Sequence, residues 1–404
     1  MKRIFVVLLA LLFALQMLSA PAVAVGAPVA HTEGDSQRHR FGAEIAASAE
    51  ALEIEGVSAL LMEESTGTVL YESNADSALP PASVTKIMTL LLVMEAIDGG
   101  RIRLTDTVTV SAHAASMGGS QVFLKEGEAM SVEDLLKSVV IASANDAAVA
   151  LADYVAGSES AFVAEMNRRA AELGAVTAKF ENTNGLDDTA TDHVMSARDI
   201  AILSRALIAH KEILKYSSIW MDTIRNGAFG LTNTNRLVRF YPGCTGLKTG
   251  STAKAGFCVS VTAERDGLSL ICVIMGAPSR DARNSAAQKL LDWGFAHFAA
   301  VTVPAGTVDP IPVTGGSERF VGASYPALSA VVPKAEKHAV RYVITCLPSA
   351  SAPVSAGQRV GEIVYYCADT VLARQDITAD RDVPRVTLLQ LLLRLLRGML
   401  LVSE

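Results

Sequence analysis

The segment that most constrains this chain is PPASVTKIMTLLLVMEAIDGG, from Pro80 to Gly100. Two prolines precede it and two glycines close it, which delimits a helix over roughly residues 83–97. That helix is apolar nearly all round, and a helix without a polar face must be surrounded by protein. A chain of 404 residues is long enough to build that surrounding core and still leave room for two or three domains.

The flanking patterns indicate what surrounds it. From Ser58 the run SALLMEESTGTVLYESN has two apolar stretches about Ser65-Thr66-Gly67, a hairpin in which the glycine supplies a positive φ. Ser131 with Asp134, and Ser196 with Asp199, have capping-box spacing and start helices over residues 132–141 and up to Ile208. After Gly246 the segments LKTG, FCVSVTAE and LSLICVIMG read as three antiparallel strands, and RNSAAQKLLDWGFAHF has helical spacing. Strands at both ends with helices between them give an α+β class. Beyond residue 300 the chain turns to Val, Thr, Pro and Gly without helical period, a separate β-rich domain ending near Asp382.

The two ends are unusually apolar for a chain that is 50% hydrophobic and 19% charged. Lys2 and Arg3 precede an uncharged stretch of roughly 12 residues, short of the ~18 needed to span a bilayer, and Ala22-Val23-Ala24 follows as a small-x-small site. This reads as a signal peptide over residues 1–24, then a flexible leader over 25–43. Without Lys2 and Arg3 the mature chain has a net charge of −9, which disfavours a polyanionic partner, so no nucleic-acid binding is expected. At the other end, VTLLQLLLRLLRGMLLVSE places Thr387, Gln390, Arg394 and Arg397 on one stripe of a leucine-coated helix, suited to lie in a membrane surface over residues 384–404. The five cysteines, Cys244, Cys258, Cys272, Cys346 and Cys367, are odd in number and lack metal-site spacing, so no metal is expected. Cys346 and Cys367 lie on successive strand-like runs, where a disulfide and two buried thiols are the alternatives.

Three short elements carry chemistry. Ser83 and Lys86, at i and i+3 on a helix, point the same way, and a desolvated lysine beside a second cation is able to deprotonate a serine. Ser251 and Lys254 repeat that spacing and read as a surface turn. Ser143-Ala144-Asn145 falls in an inter-helix loop, before Asp146, which is placed to cap the next helix. Lys248-Thr249-Gly250 falls on a strand, where the glycine permits close backbone approach. His113 and His193 belong to no triad pattern and read as structural or exposed. Residues 115–124, with Met117-Gly118-Gly119-Ser120, form either an active-site loop or a plain surface loop.

The order SxxK, SxN about 60 residues later and KTG about 100 after that is far more specific than any part. Through PASVTKIMT, SVEDLLKSVVIASANDAA, GLKTGSTAKAGFC and KLLDWGF the chain resembles the low-molecular-mass penicillin-binding proteins of the D-alanyl-D-alanine carboxypeptidase type. The resemblance implies a penicillin-binding/β-lactamase-like antiparallel sheet with helices over residues 44–299, an all-β domain over 300–383 and the amphipathic tail. It implies Ser83 as nucleophile, Lys86 as its base and Ser143 as proton relay. Asn145, Lys248, Thr249, Gly250 and Ser251 would bind substrate, with the backbone N–H groups of Ser83 and Ser251 as oxyanion hole. Arg283 matches the family's carboxylate-binding arginine, with Arg280 as the alternative clamp and Asn284 where the family often has an acid. Peptidoglycan stem peptides would be the substrate, β-lactams the inhibitors, the outer face of the cytoplasmic membrane the location, and no cofactor is implied. The rivals are a class A type β-lactamase, whose additional glutamate has no obvious counterpart between Asn145 and Lys248, an endopeptidase or transpeptidase on the same scaffold, and a non-catalytic penicillin-binding sensor.

Overall fold

The computed structural model describes residues 52–187 and 190–399; the expected signal peptide and leader lie outside them. The hairpin forms as its sequence dictates. Strands β1 (Ser58–Glu63) and β2 (Val69–Ser73) turn at Gly67, whose φ is +73°. The buried Glu63 carboxylate ties the corner by accepting Ser65 N–H at 2.9 Å and Thr66 N–H at 2.7 Å. After the prolines a 3-10 turn, Ala82–Thr85, runs into α1 (Lys86–Asp98). Leu90, Leu91, Leu92 and Val93 on α1 are all at most 2% exposed, and each contributes about 1.5–3 kcal/mol by leaving water.

A small ribbon of β3 (Thr107–Thr109) and β4 (Ala129–Ser131) brackets the short helix α2 (Ala112–Ala115). Helices α3 (Val132–Ile141), α4 (Asn145–Ala156), α5 (Glu159–Leu173) and α6 (Ala197–Ala209) then pack about α1. Ser196 and Asp199 form a reciprocal capping box, as the spacing predicts. Ser131 caps α3 through Asp134 N–H, but the Asp134 carboxylate accepts Arg225 N–H at 3.2 Å instead of returning to the cap. Asp146 likewise does not cap. The helix already starts at Asn145, and the buried Asp146 carboxylate accepts the N–H groups of Val122 and Leu124.

After α7 (Glu212–Ser217) come the hairpin β5 (Met221–Ile224) and β6 (Phe229–Thr232), the turn helix α8 (Leu237–Phe240), and the strands β7 (Cys244–Thr252), β8 (Gly256–Arg265) and β9 (Leu268–Ala277). The main sheet is antiparallel in the order β2-β1-β9-β8-β7. One face packs on the α1 core; the other packs on α9 (Arg280–His297) through Ala287, Leu290 and Leu291. The hydrophobic α1 is thus enclosed between sheet and helices, as its pattern requires.

The remaining strands are β10 (Phe298–Val303), β11 (Gly306–Thr314), β12 (Phe320–Tyr325), β13 (Leu328–Pro333), β14 (Val340–Cys346), β15 (Ala350–Ser351), β16 (Arg359–Cys367) and β17 (Thr370–Ala379). Six of them form a sheet in the order β14-β16-β17-β12-β11-β15 around a core of their own that includes Val321, Ile363, Tyr365 and Ile377. The α+β class with an all-β second domain is therefore as expected. The disulfide alternative fails: Cys346 faces Gly361 and Cys367 faces Val340 at opposite ends of the β14–β16 pair, and all five thiols are free.

The tail forms α10 (Leu388–Met399), capped reciprocally by Thr387 and Gln390. Arg394 donates to the carbonyls of Gly316 and Ser317, whereas Leu388, Leu389, Leu393 and Leu395 are exposed. The Arg397 side chain lies outside what is described. Among the described residues no helix is long and apolar enough to cross a membrane.

Candidate active site

Ser83 sits on the 3-10 turn that precedes α1, and Lys86 is the first residue of that helix. Their i, i+3 spacing brings Lys86 Nζ to 2.8 Å from Ser83 Oγ. Lys86 is wholly buried, and its other contacts are Asn145 Oδ1 at 2.6 Å and the Asn184 carbonyl at 2.8 Å. Both of those partners are acceptors only, so each requires a hydrogen from the amine. A neutral amine has two hydrogens and one lone pair; with both hydrogens committed, the lone pair faces the Ser83 hydroxyl. Burial pushes the Lys86 pKa well below that of an ordinary lysine, the nearby Lys248 charge pushes it further down, and Asp146 partly opposes them.

Ser143 lies between α3 and α4 with a φ of +62°, a left-handed conformation that costs a serine about 1–2 kcal/mol. The backbone there directs Ser143 Oγ to Lys248 Nζ at 2.8 Å. Lys248, buried on β7, also donates to its neighbour's carbonyl, Thr249 O, at 2.8 Å. Its pKa is lowered to about 7, by burial first and by Arg283 second.

Gly250 is where strand and nucleophile meet. A Cβ at this position would lie 2.7 Å from Ser83 N and 2.9 Å from both Pro81 O and Val84 N. All three are backbone atoms that cannot swing aside, so only glycine allows β7 to pass this close, as the KTG reading anticipates. Thr249 Oγ1 bonds Thr234 Oγ1 at 2.8 Å. Ser251 is exposed, as is Lys254, which places that second SxxK-like pair on a surface turn.

Arg283 is buried on the first turns of α9, its Nε and Nη2 on Asn284 Oδ1 at 3.2 and 2.9 Å and its Nη1 on the Cys258 carbonyl at 3.4 Å. The asparagine thus orients the guanidinium where an acid was expected to do so. Burial and the neighbouring Arg280 lower the Arg283 pKa to about 10. Arg280 is exposed, on the same rim.

These groups surround a cavity of about 590 Å³ lined by Ser83, Ser143, Thr249, Gly250, Ser251 and Arg283, together with residues that the sequence did not single out. Thr234 and Arg236 are among them, as are Trp220 and Phe240, whose rings meet edge to face at 6.1 Å. The glycine loop proves to be part of the site. Ser120 lines the cavity, Gly118 O accepts Asn145 Nδ2 and Ser120 O accepts Asn145 N, each at 2.7 Å. Gly119, at φ +74°, leaves the room that Asn145 Nδ2 occupies. The only sequence signals for the missed residues are the turn-forming clusters Asn182-Thr183-Asn184-Gly185 and Asn233-Thr234-Asn235.

The histidines stay outside. His193 Nδ1 accepts Glu181 N–H, which leaves Nε2 to donate to Thr85 Oγ1 at 2.8 Å, and burial lowers its pKa to about 4. His113 pairs with Glu159. Among the described residues no carboxylate lines the cavity and no cluster of metal-ligating side chains occurs.

Residues 44–279 match the family model described as D-alanyl-D-alanine carboxypeptidase, and residues 302–385 match that of the penicillin-binding protein 5 C-terminal domain. The chain belongs to the D-alanyl-D-alanine carboxypeptidase family. It is 40% identical over 347 residues to the D-alanyl-D-alanine carboxypeptidase DacF of Bacillus subtilis, covering 84% of this chain and 89% of that one. It is 39% identical to DacC of Escherichia coli, covering 78% and 81%. Among solved structures, penicillin-binding protein 5 of Haemophilus influenzae superposes with a TM-score of 0.75 at 30% identity, over 84% of this chain and all of that one. Penicillin-binding protein D2 of Listeria monocytogenes, in its ampicillin-bound form, gives 0.56 at 33% identity over 61% of this chain and all of the other. The protein is thus a serine peptidase of the penicillin-binding class, and family members of this kind act on peptidoglycan outside the cytoplasm.

Proposed function

We propose that the protein removes the terminal D-alanine from peptidoglycan stem peptides by two acyl transfers through Ser83. The observation that carries this reading is Lys86 Nζ, a buried amine of depressed pKa, 2.8 Å from Ser83 Oγ. Ser83 attacks the carbonyl between the two D-alanines while Lys86 takes its proton. The oxyanion forms against the N–H groups of Ser83 and Ser251, a pairing that the close approach of Gly250 to Ser83 N supports. Ser143, hydrogen-bonded to Lys248, relays that proton from Lys86 to the leaving amine. Thr249 and Arg283 hold the free carboxylate, which makes the enzyme an exopeptidase. Asn145 orients Lys86 and, with its amide hydrogen not used by Gly118, serves the substrate amide. Water then hydrolyses the acyl-enzyme and restores Ser83. A β-lactam enters by the same attack and inhibits by leaving a slowly hydrolysed acyl group.

Incubating the full chain with a peptide ending in D-Ala-D-Ala is expected to release free D-alanine, and prior exposure to penicillin should suppress that release. Penicillin labelling without D-alanine release would shift the activity to transfer or sensing.

We further assign residues 1–24 to an export signal, 25–43 to a leader, 44–299 to the catalytic domain, 300–383 to the β domain and 384–404 to a peripheral anchor. The exposed leucines of α10, with Arg394 turned to the β domain, support attachment to the outer face of the cytoplasmic membrane. A chain ending at Arg385, which keeps the buried Val383 of the β domain, should therefore move from the membrane to the soluble fraction with its D-alanine release intact. Continued membrane fractionation would remove α10 as the anchor.

A further inference from the structure

A single free carboxylate needs one clamp, yet the cavity holds three guanidiniums, those of Arg236, Arg280 and Arg283. Arg283 is buried and already oriented by Asn284. Arg236 and Arg280 are exposed and, among the described residues, form no ion pair and donate no side-chain hydrogen bond, whereas Arg198 and Arg225 elsewhere on the domain are each held by carboxylates. The rest of the lining is hydroxyl, amide and aromatic. The acid nearest in sequence, Asp281, acts on Arg283 only weakly and does not line the cavity. Arg280 opens α9, where a cation opposes the helix dipole.

The three cations line the same cavity, and the charges of Arg280 and Arg236 both act on Arg283. Arg236 follows by two residues Thr234, which bonds Thr249, and it is close enough to Arg283 for its charge to lower that group's pKa. If the scissile carbonyl rests against Ser83 and Ser251, the Thr249 end receives the leaving residue. Trp220 and Phe240 line the same cavity of about 590 Å³.

We infer that Arg236 and Arg280 bind a second carboxylate on the leaving residue, so that the enzyme accepts terminal D-amino acids with an acidic side chain, D-glutamate being the simplest. This rests on the carboxypeptidase reading above. The chemistry is unchanged: the bond from the acyl carbonyl carbon to the leaving nitrogen breaks, that nitrogen gains the proton taken from Ser83, free D-glutamate departs, and water cleaves the ester. Only the recognition of the leaving residue differs.

The test uses the full chain and three N-acylated peptides ending in D-Ala-D-Ala, D-Ala-D-Glu and D-Ala-D-Gln, with active sites counted by penicillin labelling. D-Gln matches D-Glu in size without its charge. The expected kcat/KM for D-Glu exceeds that for D-Gln by about tenfold, the scale of a charge-assisted hydrogen bond, mostly through KM, and the ratio falls as salt rises. In an Arg236→Gln/Arg280→Gln variant the ratio should collapse towards one. Because it is a ratio within one preparation, partial misfolding cancels. Release of D-alanine with a D-Glu to D-Gln ratio near one in the unaltered protein, or a ratio unchanged in the variant, overturns this inference alone. No release from any of the three peptides overturns the carboxypeptidase reading and this inference with it.

Discussion

Replacing Ser83 with alanine is expected to eliminate D-alanine release and covalent penicillin labelling together, with turnover falling by about 10⁴-fold or more, as when a nucleophile that acts as a unit with its base is removed. The fold should survive. Ser83 is only half-buried, and its hydroxyl is one of three partners of Lys86, whose contacts to Asn145 Oδ1 and the Asn184 carbonyl remain. The stability change is then about 1 kcal/mol or less, the net value of one hydrogen bond, so thermal unfolding should move by only a few degrees. Mass spectrometry of the penicillin-treated variant checks the chemistry and calorimetry checks the fold. An alanine variant that still carries the penicilloyl group would displace Ser83 as the nucleophile.

How far the sequence revealed this site depends on how local each part is. Ser83 and Lys86 meet because three residues on a helical turn always place side chains on one face, and that relation needs no knowledge of the rest of the chain. Gly250 is legible for a similar reason, since its value is the absence of a side chain. Helix α1 is legible because its apolar run has one physical outcome, enclosure. Asn184, Thr234, Arg236 and Trp220 were not legible. They come from irregular segments with no periodicity, and only the packing of the helical layer on the sheet brings them to Lys86 and Thr249.

Two cases show how tertiary structure overrides a correct local pattern. Asp134 has the right spacing for a capping box, but Arg225, from the β5–β6 turn, donates its N–H to that carboxylate, and its guanidinium also reaches Glu128 and the Val122 carbonyl. Asp146 could have capped a helix by its residue type, but it holds the N–H groups of Val122 and Leu124 in the loop that carries Ser120. In both, a side chain suited to a local role is used to position the wall of the cleft. The left-handed φ of Ser143 is a third case, because nothing in Ser-Ala-Asn announces a conformation that serine rarely adopts.

The pH dependence of acylation tests the pairing of the two lysines. The reactive form of Lys86 is the neutral amine, which predominates above its pKa, so the rate of penicillin acylation should rise with pH through a limb set by Lys86. Burial and the Lys248 charge both penalise the ammonium, so that limb lies well below the 10.5 of an ordinary lysine. Lys248 is itself pulled down to about 7 and is therefore charged on the acid side, where its influence on Lys86 matters most. Substituting Lys248→Gln removes one of the two depressing causes and leaves burial, so Lys86 keeps its proton to higher pH and the limb moves in the alkaline direction. Substituting Lys86→Met removes the base altogether; the rate should fall by about 10²–10⁴-fold, the usual contribution of a positioned base, and the rising limb should vanish. Rapid-mixing acylation across the pH range distinguishes the roles. A Lys248→Gln protein that is slower at every pH with its limb unmoved would make Lys248 a hydrogen-bond donor to Ser143 and nothing more, and the depressed pKa of Lys86 would then rest on burial alone.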